Sequence, residues 1–245
     1  MIGIKINKTL RNFIIGVLAI ILIFVVKSLF PDKDFHEKYE GYNLSASSGS
    51  SSDVRTYSEY QEIHSAAAKP SVSVALDVFA YDRGSSYGIS EKYDYYGRDV
   101  VVTEDRSSVT WPVDVPESGF YNIEMEYVAV PSRNINMERI LYINGEIPFS
   151  GADILSFSRL WKDGGPVKYD NQGNSIRPSQ VEFYAPQTVR FKSDLGYEVD
   201  PYCFYFSSGR NTVTLESTNE PMAVSSIRLV PVRKYNTYEQ YVSAQ

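Results

Sequence analysis

The chain is poor in the residues that carry most enzyme chemistry. Histidine occurs twice in 245 residues, at His36 and His64. From Ser71 onward there is none, so that stretch has no imidazole for a serine–histidine triad, a proton shuttle or a histidine-ligated metal. Cysteine occurs once, at Cys203, which forbids an intrachain disulfide. It sits among the aromatics of residues 202–206 (YCFYF), where a buried structural thiol is expected rather than a nucleophile. Acidic residues are missing before Pro31. All 30 lie beyond it, with 20 of the 24 basic residues, so that part carries 20 − 30 = −10. Such a charge repels polyanions and argues against nucleic acid as a partner.

What the N-terminus does have is an unbroken apolar run at 13–26, preceded by Lys5, Lys8 and Arg11. At a helical rise of about 1.5 Å per residue it spans roughly 21 Å, and Leu10, Leu29 and Phe30 can lengthen it toward the roughly 30 Å of a bilayer core. The early basic residues place the N-terminus in the cytoplasm and everything after residue 30 outside. Residues 1–30 read as a signal anchor or a signal peptide. Lys27, Ser28, Leu29, Phe30 and Pro31 make a poor cleavage site, which favours the retained anchor. With no disulfide possible, the compartment fits the extracellular face of a bacterial plasma membrane.

Residues 31–69 read as an extracellular stalk: 45–52 are rich in serine and glycine, and the helical character of 57–68 ends at Pro70. Residues 70–233 read as one domain, and 234–245 as the start of a downstream linker. Alternation of period two marks strands at 72–78, 109–115 and 121–127, with more expected at 138–143, 187–192, 201–207, 210–217 and 223–231. Trp111 falls on the inward phase and is assigned to the core. Asn144-Gly145 is a tight-turn signal between aliphatic segments. Short, regularly spaced strands without helical periodicity predict an all-β protein, an antiparallel β-sandwich or jelly roll. Residues 163–180 (DGGPVKYDNQGNSIRPSQ) read as a long loop, a usual place for function.

Three segments carry a resemblance: 109–130 (VTWPVDVPESGFYNIEMEYVAV), 139–149 (RILYINGEIPF) and 209–230 (GRNTVTLESTNEPMAVSSIRLV). They resemble galactose-binding-like jelly rolls of the carbohydrate-binding-module type. With 157–182 and 200–217, the chain resembles the N-terminal module of bacterial extracellular solute-binding proteins of sugar ABC transporters. The resemblance implies a carbohydrate ligand, an ABC transporter permease as a partner, and a solute-binding domain that these residues do not contain.

Sugar recognition needs an aromatic face for the pyranose ring and planar polar groups for its hydroxyls. Arg159, Trp161, Tyr169, Asn174, Arg177 and Gln180 supply both kinds. Trp161 is expected to stack, and Arg159, Arg177 and Gln180 to bond hydroxyls. Tyr93, Tyr95 and Tyr96 form a second aromatic cluster. The competing reading has Trp161 plugging the sandwich edge while Arg159 and Arg177 pair with acids to pin the loop. Carboxylate-pair glycoside hydrolysis, with Asp163, Asp170, Glu182, Asp194, Glu198 and Asp200 as candidates, ranks below solvated loop charge, so no catalytic residue is assigned and the chain is not read as an enzyme. Calcium is the other ligand of such jelly rolls, but 170–174 lacks the carboxylates of a calcium loop, so no metal or cofactor is assigned. The expected function is a non-catalytic carbohydrate-binding module. The alternative is a structural spacer or protein-interaction module at the cell surface.

Overall fold

A computed structural model describes residues 54–233 and 238–243, together with the isolated positions Lys8, Asn12, Val17 and Ile21. The expected membrane helix at 13–26, apart from Val17 and Ile21, and the serine-rich part of the stalk lie outside the described residues. Among the described residues no helix is long and apolar enough to cross a membrane.

In chain order the elements are α1 (Tyr57–Ile63), β1 (Val74–Leu76), β2 (Tyr87–Lys92), β3 (Val100–Val115), β4 (Gly119–Ala129), β5 (Met137–Ile143), β6 (Leu155–Phe157) and β7 (Leu160–Asp163). Then come β8 (Lys168–Tyr169), β9 (Ser175–Ile176), β10 (Gln180–Phe183), β11 (Gln187–Arg190), β12 (Phe204–Phe206), β13 (Gly209–Asn219), β14 (Met222–Pro231) and α2 (Tyr238–Ser243). Burial alternates along β5 and β13 as the sequence pattern requires, with Met137, Leu141, Val213 and Leu215 turned inward. Trp111 is fully buried and donates its indole N–H to the Val78 carbonyl at 2.9 Å. Asn144 (φ 54°) and Gly145 (φ 85°) are both left-handed, the geometry of a type I′ turn.

The main sheet is antiparallel, in the order β11-β4-β14-β3-β13-β5-β6, with β1 beside β14, β12 beside β4 and β2 beside β3. Strand β3 folds it over. Val101–Thr103 pair with β14, whereas Ser108–Val115 pair with β13. Between them Glu104, Asp105 and Arg106 turn outward, Arg106 at φ 60°, and the Ser107 hydroxyl donates to the Glu104 carbonyl. The two halves of β3 thus serve two layers, and the core lies between. The roll brings its end strands, β6 and β11, to opposite walls of a cleft of about 370 Å³. At that rim the Ser158 carbonyl accepts from the Tyr127 hydroxyl (2.8 Å) and the Gln187 side-chain amide (3.1 Å).

Two features were not legible in the sequence. Part of the expected stalk packs on the domain, since helix α1 at Tyr57–Ile63 lies against it. Helix α1 carries a capping box between Thr56 and Glu59, and it buries Tyr60 in the core. The hydroxyls of Tyr57 and Tyr60 accept from the backbone N–H of Cys203 (2.9 Å) and Tyr205 (2.7 Å). Those donors lie at the open side of β12, so the helix satisfies an edge that no strand pairs. The segment 163–180 is not an irregular loop. It belongs to a ribbon in which β7 pairs β10 and, farther out, β8 pairs β9, none of them joined to the main sheet.

The bend of β3 fits only against glycine. Gly88 sits at φ 68°, and a Cβ there would lie 2.8 Å from Ser107 Cβ. Gly88→Ala is therefore expected to destabilise the domain by about 1–3 kcal/mol, from a left-handed backbone plus a steric clash. Thermal unfolding followed by circular dichroism checks this. An unchanged Tm would show that the bend does not depend on this contact.

Candidate functional site

The site is built on one buried guanidinium. Arg159 lies between β6 and β7 with its side chain 1% exposed. It donates to the carbonyls of Ile135 (2.6 Å) and Val130 (3.0 Å), to Glu182, and to Glu220 Oε2 (2.5 Å). Glu220 occupies the β13–β14 turn at φ 55° with its side chain fully buried. Its second oxygen accepts from Arg133 Nε at 2.7 Å. Burial works to raise the Glu220 pKa, but the Arg133 hydrogen bond and the charge of Arg159 together hold it below the ordinary carboxylate value. Arg139, also buried, reaches the carbonyls of Glu138, Asn219 and Glu220 and the Thr103 hydroxyl. Burial pushes its pKa down to about 10.

Around Glu182 stands an aromatic platform. Trp161 is the direct cross-strand partner of Glu182 on the β7–β10 ladder, so the two side chains share a face. The Tyr184 hydroxyl donates to Glu182 Oε2 at 2.6 Å, and that bond, with burial, pushes the Tyr184 pKa up to about 12. The Asn134 amide, turned to place its nitrogen inward, donates to the same oxygen at 2.8 Å. The Tyr184 ring stacks on Tyr96 with centroids 5.6 Å apart. Tyr96 and Gly97 form a tight turn closed by hydrogen bonds between Tyr95 and Arg98. Tyr96 takes φ 50° there, a left-handed conformation uncommon for a bulky residue. Trp161 and Tyr96 remain 46% and 47% exposed.

The structure separates the residues singled out from the sequence. Trp161 and Gln180 share the platform face, Gln180 bonded across the ladder to Asp163. Arg159 stands behind the platform, committed to acids and carbonyls as in the pinning reading, with no open surface. Tyr169, Asn174 and Arg177 lie on the outer part of the ribbon, away from the Glu182 ladder. Asn174 is locked to Asp170 by its backbone N–H (2.8 Å) and side-chain amide (2.9 Å). Arg177 is exposed beside a hollow of about 250 Å³ lined by Gly164, Lys168 and Ile176. Of the second cluster Tyr96 joins the platform, with the Tyr95 ring edge-on to it at 4.8 Å. Tyr93 stacks on Phe79 (5.9 Å), and Tyr95 covers a buried patch of Val100, Val102, Val128 and Ala223. Tyr184, Asn134 and Glu220 escaped the sequence reading. Glu182 and Tyr184 do follow strand spacing, i and i+2, which could have paired them.

Glu182 and Glu220 are not arranged as an acid–base pair. Arg159 separates Glu182 from Glu220, and a general acid needs a raised pKa, the opposite of Glu220. Among the described residues no group of three or more His, Cys, Asp or Glu side chains is placed to hold a metal. The 170–174 turn does not fit calcium. Its single carboxylate already accepts from Gln172 N–H, Asn174 N–H and the Asn174 amide.

No family model matches the chain, and no curated protein matches it. Solved structures of similar fold include carbohydrate-binding modules. A family 35 carbohydrate binding module from Clostridium thermocellum is 11% identical over 66% of this chain and 99% of its own, with a TM-score of 0.37. A carbohydrate binding module of Cellvibrio mixtus lichenase 5A, in complex with cellotriose, is 15% identical over 65% of this chain and 97% of its own, at 0.36. A Podospora anserina GH26-CBM35 beta-(1,4)-mannanase is 12% identical over 68% of this chain but only 29% of its own, at 0.41. Likeness at this level assigns no ligand.

Removing Arg159 leaves two carboxylates buried without their shared partner. Arg159→Met should destabilise by about 3–5 kcal/mol. The folded pKa of Glu220 lies below its unfolded value, near 4.5. Its contribution is therefore complete above that value and fades as pH falls through the folded pKa. Urea unfolding across pH 2–7 should show this acid loss in the wild type and a shallower one in Glu220→Gln. Identical slopes in the two proteins would contradict the assignment.

Proposed function

We propose that this domain is a non-catalytic carbohydrate-binding module whose ligand lies on the platform of Trp161, Tyr96 and Tyr184. The observation that carries this reading is Tyr96. A tyrosine is held in left-handed backbone so that its half-exposed ring stacks with Tyr184, which is bonded to Glu182, the cross-strand partner of the exposed Trp161. Strained backbone of this kind persists where the surroundings over-determine it, and it gathers at binding sites. Flat rings suit the apolar face of a pyranose. Gln180 and Asn134 supply amide groups for hydroxyls. Arg159 acts by fixing Glu182, without touching the ligand.

The finer reading is that the module serves a sugar ABC transporter outside a bacterial membrane, held there by the apolar N-terminus. It rests on the resemblance of 70–232 to the front module of extracellular solute-binding proteins and on the basic-then-apolar pattern of residues 1–30. A blot of source cells with an antibody to the module checks it. A band well above 27.7 kDa is expected, carrying the solute-binding domain. A band at that mass would remove the transporter reading and leave the module.

Isothermal titration against a panel of plant and cell-wall glycans tests the binding itself. At least one glycan should bind, and Trp161→Ala and Tyr96→Ala should each weaken it about tenfold or more, with unfolding temperatures close to wild type. Wild-type affinity in both variants, or no heat with any glycan, rejects the platform.

A further inference from the structure

The ribbon bears on more than the platform. Its outer part, from Gly164 to Ser179, is held by the short β8–β9 ladder, the hydrogen bonds of the Asp170–Asn174 turn and the bond from Gly164 N–H to the Ser179 carbonyl. A two-stranded ribbon is marginal in water unless something covers a face. Yet Val167, Tyr169 and Ile176 are 49%, 68% and 49% exposed. The acids of the ribbon are spent internally: Asp163 on Gln180, Asp170 on its own turn, Glu182 on Arg159. Its outer cations are not. Lys168 and Arg177 line one hollow with Ile176 and Pro178, and neither has an ion-pair partner among the described residues.

Another surface segment has the complementary make-up. Between β11 and β12, Leu195, Tyr197 and Val199 are 76%, 83% and 90% exposed, the highest values for large apolar side chains among the described residues. They alternate with Asp194 and Glu198, both exposed. One segment is apolar and cationic, the other apolar and anionic, and each leaves apolar surface open to water.

We propose that the outer ribbon of one copy docks on residues 194–199 of a second copy, with Tyr169 and Ile176 against Leu195 and Tyr197, and Lys168 and Arg177 against Asp194 and Glu198. The two patches differ, so the contact is heterologous. Each copy keeps a free ribbon and a free loop, and association continues into a row or closes as a ring.

Sedimentation velocity of the full chain, kept in non-ionic detergent because of its apolar N-terminus, tests this. The sedimentation coefficient should rise with protein concentration and fall back at high salt, where screening shortens to about 3 Å. Lys168→Glu with Arg177→Glu should weaken association about tenfold, and so should Asp194→Lys with Glu198→Lys. Mixing the two reversed proteins should restore it, because each then offers the charge the other needs. A second measurement uses Tyr169→Cys and Tyr197→Cys, each in a Cys203→Ser background. The mixture should form a disulfide-linked pair under mild oxidation, and neither variant should link to itself. A monomer at every concentration, association that ignores both reversals, or self-linking of Tyr169→Cys each overturns the proposal.

Discussion

A guanidinium out of reach of water holds the candidate site together. Taking Arg159 from solvent costs several kcal/mol unless its donors are met and its charge is balanced. Its planar fork meets four acceptors that come from separate parts of the chain: the carbonyls of Val130 and Ile135, Glu182 on the ribbon, and Glu220 in the β13–β14 turn. Two carboxylates and the two cations Arg159 and Arg133 make a neutral set. A lysine could not replace Arg159, since a single ammonium cannot present donors in several fixed directions at once. The ribbon has no pairing with the main sheet, so this ion network is what fixes the root of β10, and with it Trp161, against the body of the domain.

Beneath the network lies the second constraint, the fold-over of β3. Its first residues are buried on successive positions, Val100 through Thr103, because both faces of the sheet are covered there. Val101 joins the main core, while Val100 and Val102 face the outer patch under Tyr95 and Tyr184. The outer patch is therefore continuous with the platform: the tyrosine that donates to Glu182 also shields the back of β3. Packing of the sheet and placement of the site share side chains, so disturbance of one reaches the other.

The sequence showed much of the frame and less of the site. Strands β5 and β13 were legible because one face of each meets the core and the other is partly open to water, which writes a period of two. The start of β3 was not legible, since burial on both faces erases alternation. Helix α1 carried a readable signal, the Thr56-x-x-Glu59 capping box, but its membership in the domain depends on Tyr57 and Tyr60 meeting β12 about 145 residues later, which no local pattern encodes. Trp161 and Gln180 were found by residue type. Tyr184 and Glu220 were not, because their roles come from long-range partners. The three neighbouring tyrosines, Tyr93, Tyr95 and Tyr96, read as one cluster, yet only Tyr95 and Tyr96 stay in ring contact, while Tyr93 stacks on Phe79.

The turn at Tyr96 and Gly97 links the sheet to the exposed ring of Tyr96. A left-handed tyrosine costs about 1–2 kcal/mol, and a glycine would be freer at the same place. The conformation is held from outside. Arg98, which closes the turn, donates through Nε to Glu126 Oε1 at 2.7 Å, and the Ser225 hydroxyl donates to the same oxygen at 2.8 Å. The Arg98 hydrogen bond leads the forces that keep the Glu126 carboxyl below its usual range, so it stays an anion able to hold the loop. A rigid sheet thus grips Arg98, Arg98 closes the turn, and the turn sets the Tyr96 ring on Tyr184. Core packing gains nothing from a ring left half in water. Its placement fits the flat, solvent-borne ligand of the proposed platform.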